Sequence, residues 1–229
     1  MILAAHQPYF SPFAGFFYKA HLADVLVLLD DVQFPQGTTW ISRNRFKNAG
    51  GTLWMTIPVL KKGLGLQKIG EVRILRDKRW QRKHLESLRA AYAKSPYFLE
   101  HAQFLEELFS DPCERLLDFN LAIIRRLMGC LPLVADMRLL SQLGIESRGT
   151  RLLVEICETL GATRFLVQNP AARYLEIHLF EEAGIEIECF KYPSPVYPQL
   201  WGDFIPNLSL WDMVFNCGPK AWDIINRCR

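Results

Sequence analysis

Long apolar runs are missing from this sequence. The best one, residues 25–29, is bounded by Asp24 and Asp30, far short of the roughly 20 residues that a membrane-spanning helix needs. An excess of either charge is missing too. The 27 Lys and Arg stand against 24 Asp and Glu, a balance that does not suggest nucleic-acid binding, which usually needs a clustered basic face. The densest basic stretch, residues 73–84, interleaves Arg76, Lys78, Arg79, Arg82 and Lys83 with apolar residues at helical spacing, the pattern of a solvated helix face. The six cysteines form no CxxC pair and no metal-type spacing with histidine, so they read as thiols of a reducing compartment. Residues 1–10 have neither the basic start nor the long apolar core of a secretory leader, and a cytoplasmic location is expected. There is no GxGxxG, P-loop lysine motif, GxSxG or HExxH, which removes the common signatures for dinucleotides, nucleoside triphosphates, serine hydrolysis and zinc proteolysis.

What is present is core-forming material. Half of the 229 residues are hydrophobic, enough for one large domain or a domain with a subdomain. Residues 2–5 read as a short buried strand ending at His6-Gln7-Pro8, with a loop through Pro12 and helical spacing over 13–22. Residues 25–29 are apolar without alternation, as in a strand buried on both faces. Residues 35–50 read as a polar loop, Gly50-Gly51 as a hairpin-type turn, and 52–59 as a strand. Gly63, Gly65 and Gly70 mark further turns. Residues 78–93 and 98–128 are helical by period, with Pro96 between them and Asp111-Pro112 resembling an N-cap and first helical position. The stretch 78–130 is thus expected to be a helical insertion or subdomain. A strand is expected at 133–137, a helix at Gly149–Leu160, a strand at 164–167, a helix at 174–183 stopped by Gly184, and a strand at 185–192. Four prolines make 193–207 an extended loop, and helices at 209–217 and 219–227 close the chain. The expected fold is α/β: a mostly parallel, Rossmann-like sheet flanked by helices, with the helical insertion in the middle.

Ligands of such sheets bind at the carboxyl ends of the strands, and three strand ends here carry capable side chains. The first offers His6 and Gln7, the second Asp30, Asp31 and Gln33, and the strand at 164–167 offers Gln168, Asn169 and, a few residues on, Arg173. A histidine of ordinary pKa, about 6.5, suits proton transfer at neutral pH, and Asp31 is placed to orient it; the structural alternative is a histidine that bonds the backbone. Of Asp30 and Asp31, one can bind substrate or an ion while the other caps a turn, because side chains alternate along a strand. No third hard ligand stands nearby to make a metal site. Ser147, Arg148 and Thr150 open a helix, where they serve either as an anion site or as ordinary capping residues. Arg43 and Asn44 lie in the polar loop, where a planar guanidinium suits carboxylate or phosphate. Cys217 reads as a buried structural thiol.

Several segments resemble one family in order along the chain. They are His6-Gln7-Pro8-Tyr9 running to Gly15-Phe16-Phe17-Tyr18-Lys19, then Leu29-Asp30-Asp31-Val32-Gln33-Phe34, and Arg43-Asn44-Arg45. Gly144-Ile145-Glu146-Ser147 with Gly149-Thr150 follows, then residues 180–185. The last are Phe204-Ile205-Pro206-Asn207-Leu208-Ser209 and Phe215-Asn216-Cys217-Gly218. Together they are similar to the WbqC-like family, whose resemblance adds Asn207 to the candidate substrate contacts. One departure stands out: a small, glycine-rich turn is expected after the strand at 164–167, where this chain has Gln168-Asn169-Pro170-Ala171-Ala172. The resemblance implies a role in surface-polysaccharide (O-antigen) or modified-sugar biosynthesis, decorating an amino sugar with an acyl or aminoacyl group.

Three readings follow. The first is a transferase acting on a phosphorylated or nucleotide-linked amino sugar, with His6 as base, Asp31 orienting it, and Arg43, Arg148 and Arg173 neutralising charge. The second is a nucleotidyltransferase of the HIGH type, against which the separation of His6 and His21 counts. The third is a non-catalytic ligand-binding or scaffold protein. The partner is a small molecule in each of the first two; no cofactor is named by the sequence, and homo-oligomerisation stays open.

Overall fold

The computed structural model describes residues 1–110, 113–133 and 135–227. Within them the chain divides into two compact units. The first comprises 1–8, 15–32 and 133–193; the second comprises 9–14, 33–132 and 194–229. The expected Asp111-Pro112 cap lies outside the described residues, as do Val134 and Cys228.

The first unit is an α/β layer built on five strands: β1 (Ile2–His6), β2 (Val25–Leu28), β5 (Asp136–Leu139), β6 (Arg164–Gln168) and β7 (Glu186–Phe190). They pair in the order β5-β2-β1-β6-β7, and every pairing is parallel. The fold is therefore Rossmann-like, as expected. Residues 3–5 of β1 and all of β2 are buried because helices cover both faces. On one face Leu3, Ala5, Val25, Val27, Phe165 and Val167 join one core with Leu152, Ile156 and Cys157 of α5 (Gly149–Leu160) and Phe180 of α7 (Ile177–Glu182). On the other lies α1 (Ala14–Leu22), whose Tyr18 stacks on Tyr192 at 4.8 Å and reaches Phe190. Gly161 ends α5 in the left-handed conformation, φ +70°, where glycine carries no Cβ penalty.

The second unit holds the hairpin β3 (Arg43–Asn48) and β4 (Gly51–Thr56) and the helices α2 (Lys78–Tyr92), α3 (Leu99–Ser110), α4 (Leu116–Gly129), α8 (Leu210–Cys217) and α9 (Ala221–Asn226). Its core is aromatic. Phe215 packs edge-on against Phe98 and stacks with Trp211, both at ring distances of 5.1 Å. Tyr92 donates to the buried Asp212 at 2.7 Å and accepts from the Lys47 N–H at 2.9 Å, tying α2, α8 and β3 together. Burial, followed by the bond from Tyr92, governs Asp212, with a net upward push on its carboxyl. Among the described residues no helix is long and apolar enough to cross a membrane.

Several expected elements differ from the observed ones. The polar loop at 35–50 contains strand β3. The helix at 98–128 is two helices, α3 and α4. The strand near 133–137 is shifted to Asp136–Leu139. The helix at 174–183 is the shorter α7, and a turn of helix that was not expected, α6 (Asn169–Ala172), stands before it.

Candidate functional site

The order β5-β2-β1-β6-β7 means that the chain winds outward from β1 in one direction, through β2 to β5, and then in the other, through β6 to β7. The direction reverses between β1 and β6, the point in the strand order at which open α/β sheets commonly bind ligands. Register places the groups at that point. His6 lies level with Leu28 of β2. Extending the β1–β6 pairing of Ala4 with Leu166 by two residues puts His6 level with Gln168, itself level with Phe190. Partners in a parallel ladder share a face, so His6 and Gln168 both face the α1 side. There the His6 ring meets Phe16 edge-on at 4.9 Å.

His6 is a neutral imidazole. Its Nδ1 lies 2.7 Å from the Gln7 carbonyl oxygen, which can only accept, so Nδ1 carries the proton and Nε2 the lone pair. Burial first, then the nearby Lys19 ammonium, lowers its pKa to about 3, against a weaker upward pull from the Gln7 carbonyl. The ordinary value near 6.5 does not apply. Lys19 comes from α1 and is buried, its Nζ donating to the Ala5 carbonyl at 2.8 Å. Burial lowers its pKa to about 8, and it makes no ion pair among the described residues. The strand-order reversal thus carries a neutral proton acceptor and a buried cation that has no ion pair among the described residues.

The other first-unit candidates divide by what already holds them. Asp30 is buried, and its two oxygens accept from the Ser141 N–H at 3.0 Å and hydroxyl at 2.6 Å. It fastens the turn after β5. Thr150 is buried, and its hydroxyl oxygen accepts from the Glu176 N–H that begins α7. Ser147 donates to Glu155 at 2.6 Å. Gln7 and Asp31 are partly buried beside the strand ends; Arg148 and Asn169 are exposed. Arg173 is exposed, its guanidinium 4.8 Å from the Tyr174 ring and donating to the Tyr174 hydroxyl. His6, Gln7, Asp31, Asn169 and Arg173 all follow or end strands at the carboxyl edge.

Gln33, Arg43, Asn44 and Asn207 belong to the second unit. Gln33 is exposed and bridges to Lys68. Asn44 is buried; its amide donates to the Phe10 and Ser11 carbonyls and its oxygen accepts from the Arg45 N–H. These bonds hold Ser11 at φ +47°. Asn207, at φ +54°, accepts from the Ser194 hydroxyl at 2.6 Å. Among the described residues the buried Arg43 Nε has no hydrogen-bond partner, and the guanidinium lies 4.0 Å over Trp54. Burial raises the pKa of Cys217 to about 11, the state of an unreactive thiol. Among the described residues no three His, Cys, Asp or Glu cluster as a metal site would require.

The model of the WbqC-like protein family matches residues 7–224, and the segment covers both units. The chain belongs to the WbqC-like family. The chain is similar in length as well as sequence to an uncharacterised protein of Mycobacterium tuberculosis (strain ATCC 25618 / H37Rv), Rv1507c. It is 32% identical over 234 aligned positions, with 99% of this chain and 98% of the relative covered. No solved structure matches. The glycine-rich turn expected of a WbqC-like chain after β6 is here the helical turn α6.

Lys19 is the residue that sequence reasoning passed over. A lysine within an apolar helix, FFYKAHL, is the available signal. A solvated lysine belongs on a polar face, and α1 has almost none: residues 14–20 include only partly or fully buried positions.

Proposed function

We propose that this chain is a transferase of surface-polysaccharide or modified-sugar biosynthesis, moving an acyl or aminoacyl group onto a phosphorylated or nucleotide-linked amino sugar. The observation that carries this reading is the buried Lys19 ammonium beside neutral His6 at the reversal of strand order. A buried cation without a counter-ion is costly, and an anionic ligand or a developing oxyanion there supplies the missing charge.

In the proposed reaction His6 Nε2 accepts a hydrogen bond from the attacking amine. As the amine nitrogen bonds to the acyl carbon of an activated donor, the amine proton passes to Nε2 and the donor's bond to that carbon breaks. The proton then goes to the leaving group. Oxyanion formation beside the imidazole raises its proton affinity at the moment the proton moves. Asp31 orients the nucleophile, and Arg148 and Arg173 supply positive charge at the rim. The test is turnover of nucleotide-linked amino sugars with acyl donors, read as product mass. His6→Gln and Asp31→Asn are each expected to lose about 100-fold or more; wild-type turnover in both sinks the reading.

The low proton affinity of His6 favours a second reading, ligand binding without turnover, in which the same substitutions change affinity alone. The HIGH-type arrangement has no such support. His21 lies in the last turn of α1, next to Asp24, whose N–H bonds Ile2 at the start of β1, whereas His6 is at the other end of that strand.

A further inference from the structure

An open cleft of about 650 Å³ in the second unit lies where the β3–β4 hairpin opens, between residues 36–39 and residues 56–62. Its size falls within the 300–1,000 Å³ usual for small-molecule sites. Three cations line it, Arg43, Lys61 and Lys62, and its lining contains no carboxylate. Thr38, Ser42 and Thr56 add hydroxyls.

Arg43 is the unusual member. Its Nε–H is buried with no acceptor among the described residues, and an unmade hydrogen bond of this kind costs about 1–3 kcal/mol. Trp54 covers one face of its guanidinium at 4.0 Å, which fixes the plane and leaves the donor edge to meet a ligand. Lys61 Nζ is held by the carbonyls of Pro35, Gln36 and Gly37 at 3.4, 3.1 and 3.4 Å. Those bonds set the cleft wall while leaving the lysine charge unneutralised. Lys62 is exposed. A pre-set planar fork, two ammonium groups and hydroxyl donors without competing acid match the oxygens of a phosphate. A carboxylate would use the fork and leave the lysines over.

We propose that this cleft binds the phosphate or diphosphate of an organic phosphate, with Arg43 as its central contact and Lys61 and Lys62 as flanking charges. The inference deepens the reading above, on which it rests only for the identity of the group attached to the phosphate.

The test is calorimetric titration of the full chain with pyrophosphate, UDP and ADP, with uridine and adenosine as uncharged controls. Saturable, salt-sensitive binding of pyrophosphate or the nucleotides is expected, with none for the nucleosides. Arg43→Gln is expected to weaken it about ten-fold or more, Arg43→Lys to restore part, and Lys62→Gln to weaken it about three-fold, as loss of charge-assisted bonds does. Lys62 is exposed, so its substitution tests the site even where Arg43→Gln disturbs folding. Wild-type affinity in both Arg43→Gln and Lys62→Gln overturns the proposal, as does nucleoside binding equal to that of the nucleotides, or no binding of any phosphate probe. Because the readout is binding, a chain that holds pyrophosphate but transfers nothing sinks the transferase reading alone. A chain that turns over without Arg43-dependent binding sinks this one alone.

Discussion

Two side chains at the strand-order reversal depart from their ordinary proton affinities, and Lys19 perturbs His6. His6 has its pKa lowered to about 3 and Lys19 to about 8, burial being the first cause of both. The histidine has a pH signature in stability. Its folded pKa lies below the ordinary 6.5, so the unfolded chain binds more protons between pH 6.5 and 3, and stability is lost as pH falls through that window. His101, lowered to about 4 by burial and then by Arg126, acts in the same direction. Urea unfolding between pH 7 and 5 should therefore show stability falling with acid. His6→Gln should flatten the slope by about 1.4 kcal/mol per pH unit at the lower end of that range; an unchanged slope would deny the burial of a neutral His6. Lys19 has its own signature in function. If its charge neutralises the ligand, kcat/KM, which reports the free protein, should decline as pH rises through about 8, and Lys19→Met should abolish that inflection. His6 was legible in the sequence because it stands at a strand end beside Pro8. Its proton affinity was not, because that depends on Lys19, thirteen residues later, and on burial that only the folded α1 supplies.

At the scale of elements, polar residues that look like ligand contacts often hold loops. Asp30 clamps the Ser141 turn, and Asp30→Ala should cost about 1–3 kcal/mol in urea unfolding by removing both bonds that the buried carboxylate accepts from the Ser141 N–H and hydroxyl; a neutral effect would free Asp30 for a ligand role. Gly218 ends α8 at φ +52°, and a Cβ there would approach the Tyr97 ring to 2.5 Å. Gly218→Ala should therefore destabilise by about 1–3 kcal/mol, and an unchanged melting temperature would contradict the geometry. The helices and parallel strands were readable where apolar period was unbroken, as in α5, whose observed ends match the expected ones. Strand β3, RNRFKN, hid because one of its buried positions is Asn44, an amide that ties down the chain at Phe10 and Ser11. A polar inward residue removes the alternation on which strand recognition rests.

For the whole molecule, connectivity matters more than the number of elements. The chain passes between the two units after residues 8, 14, 32, 132 and 193, so neither unit is a continuous segment. In the second unit α2 packs on Asp212 and Phe215, and α3 on Trp211, all three from α8. A chain ending at residue 193 should accordingly lose the cooperative unfolding transition of that unit, measured by circular dichroism; retention of the transition would show that α2 to α4 are self-sufficient. No local pattern announces such long-range pairing, which is why a helical insertion was expected from period alone while the return of residues 194–229 was not. The central claim, that ligand binds at the strand-order reversal between β1 and β6, is tested most directly by NMR of the five ring-labelled histidines during titration with nucleotide-linked amino sugars. The account predicts a saturable shift of the His6 ring signals, identified by their loss in His6→Gln, with His21 unmoved. Saturable binding that leaves His6 unmoved, or no binding by any of these sugars, would contradict it.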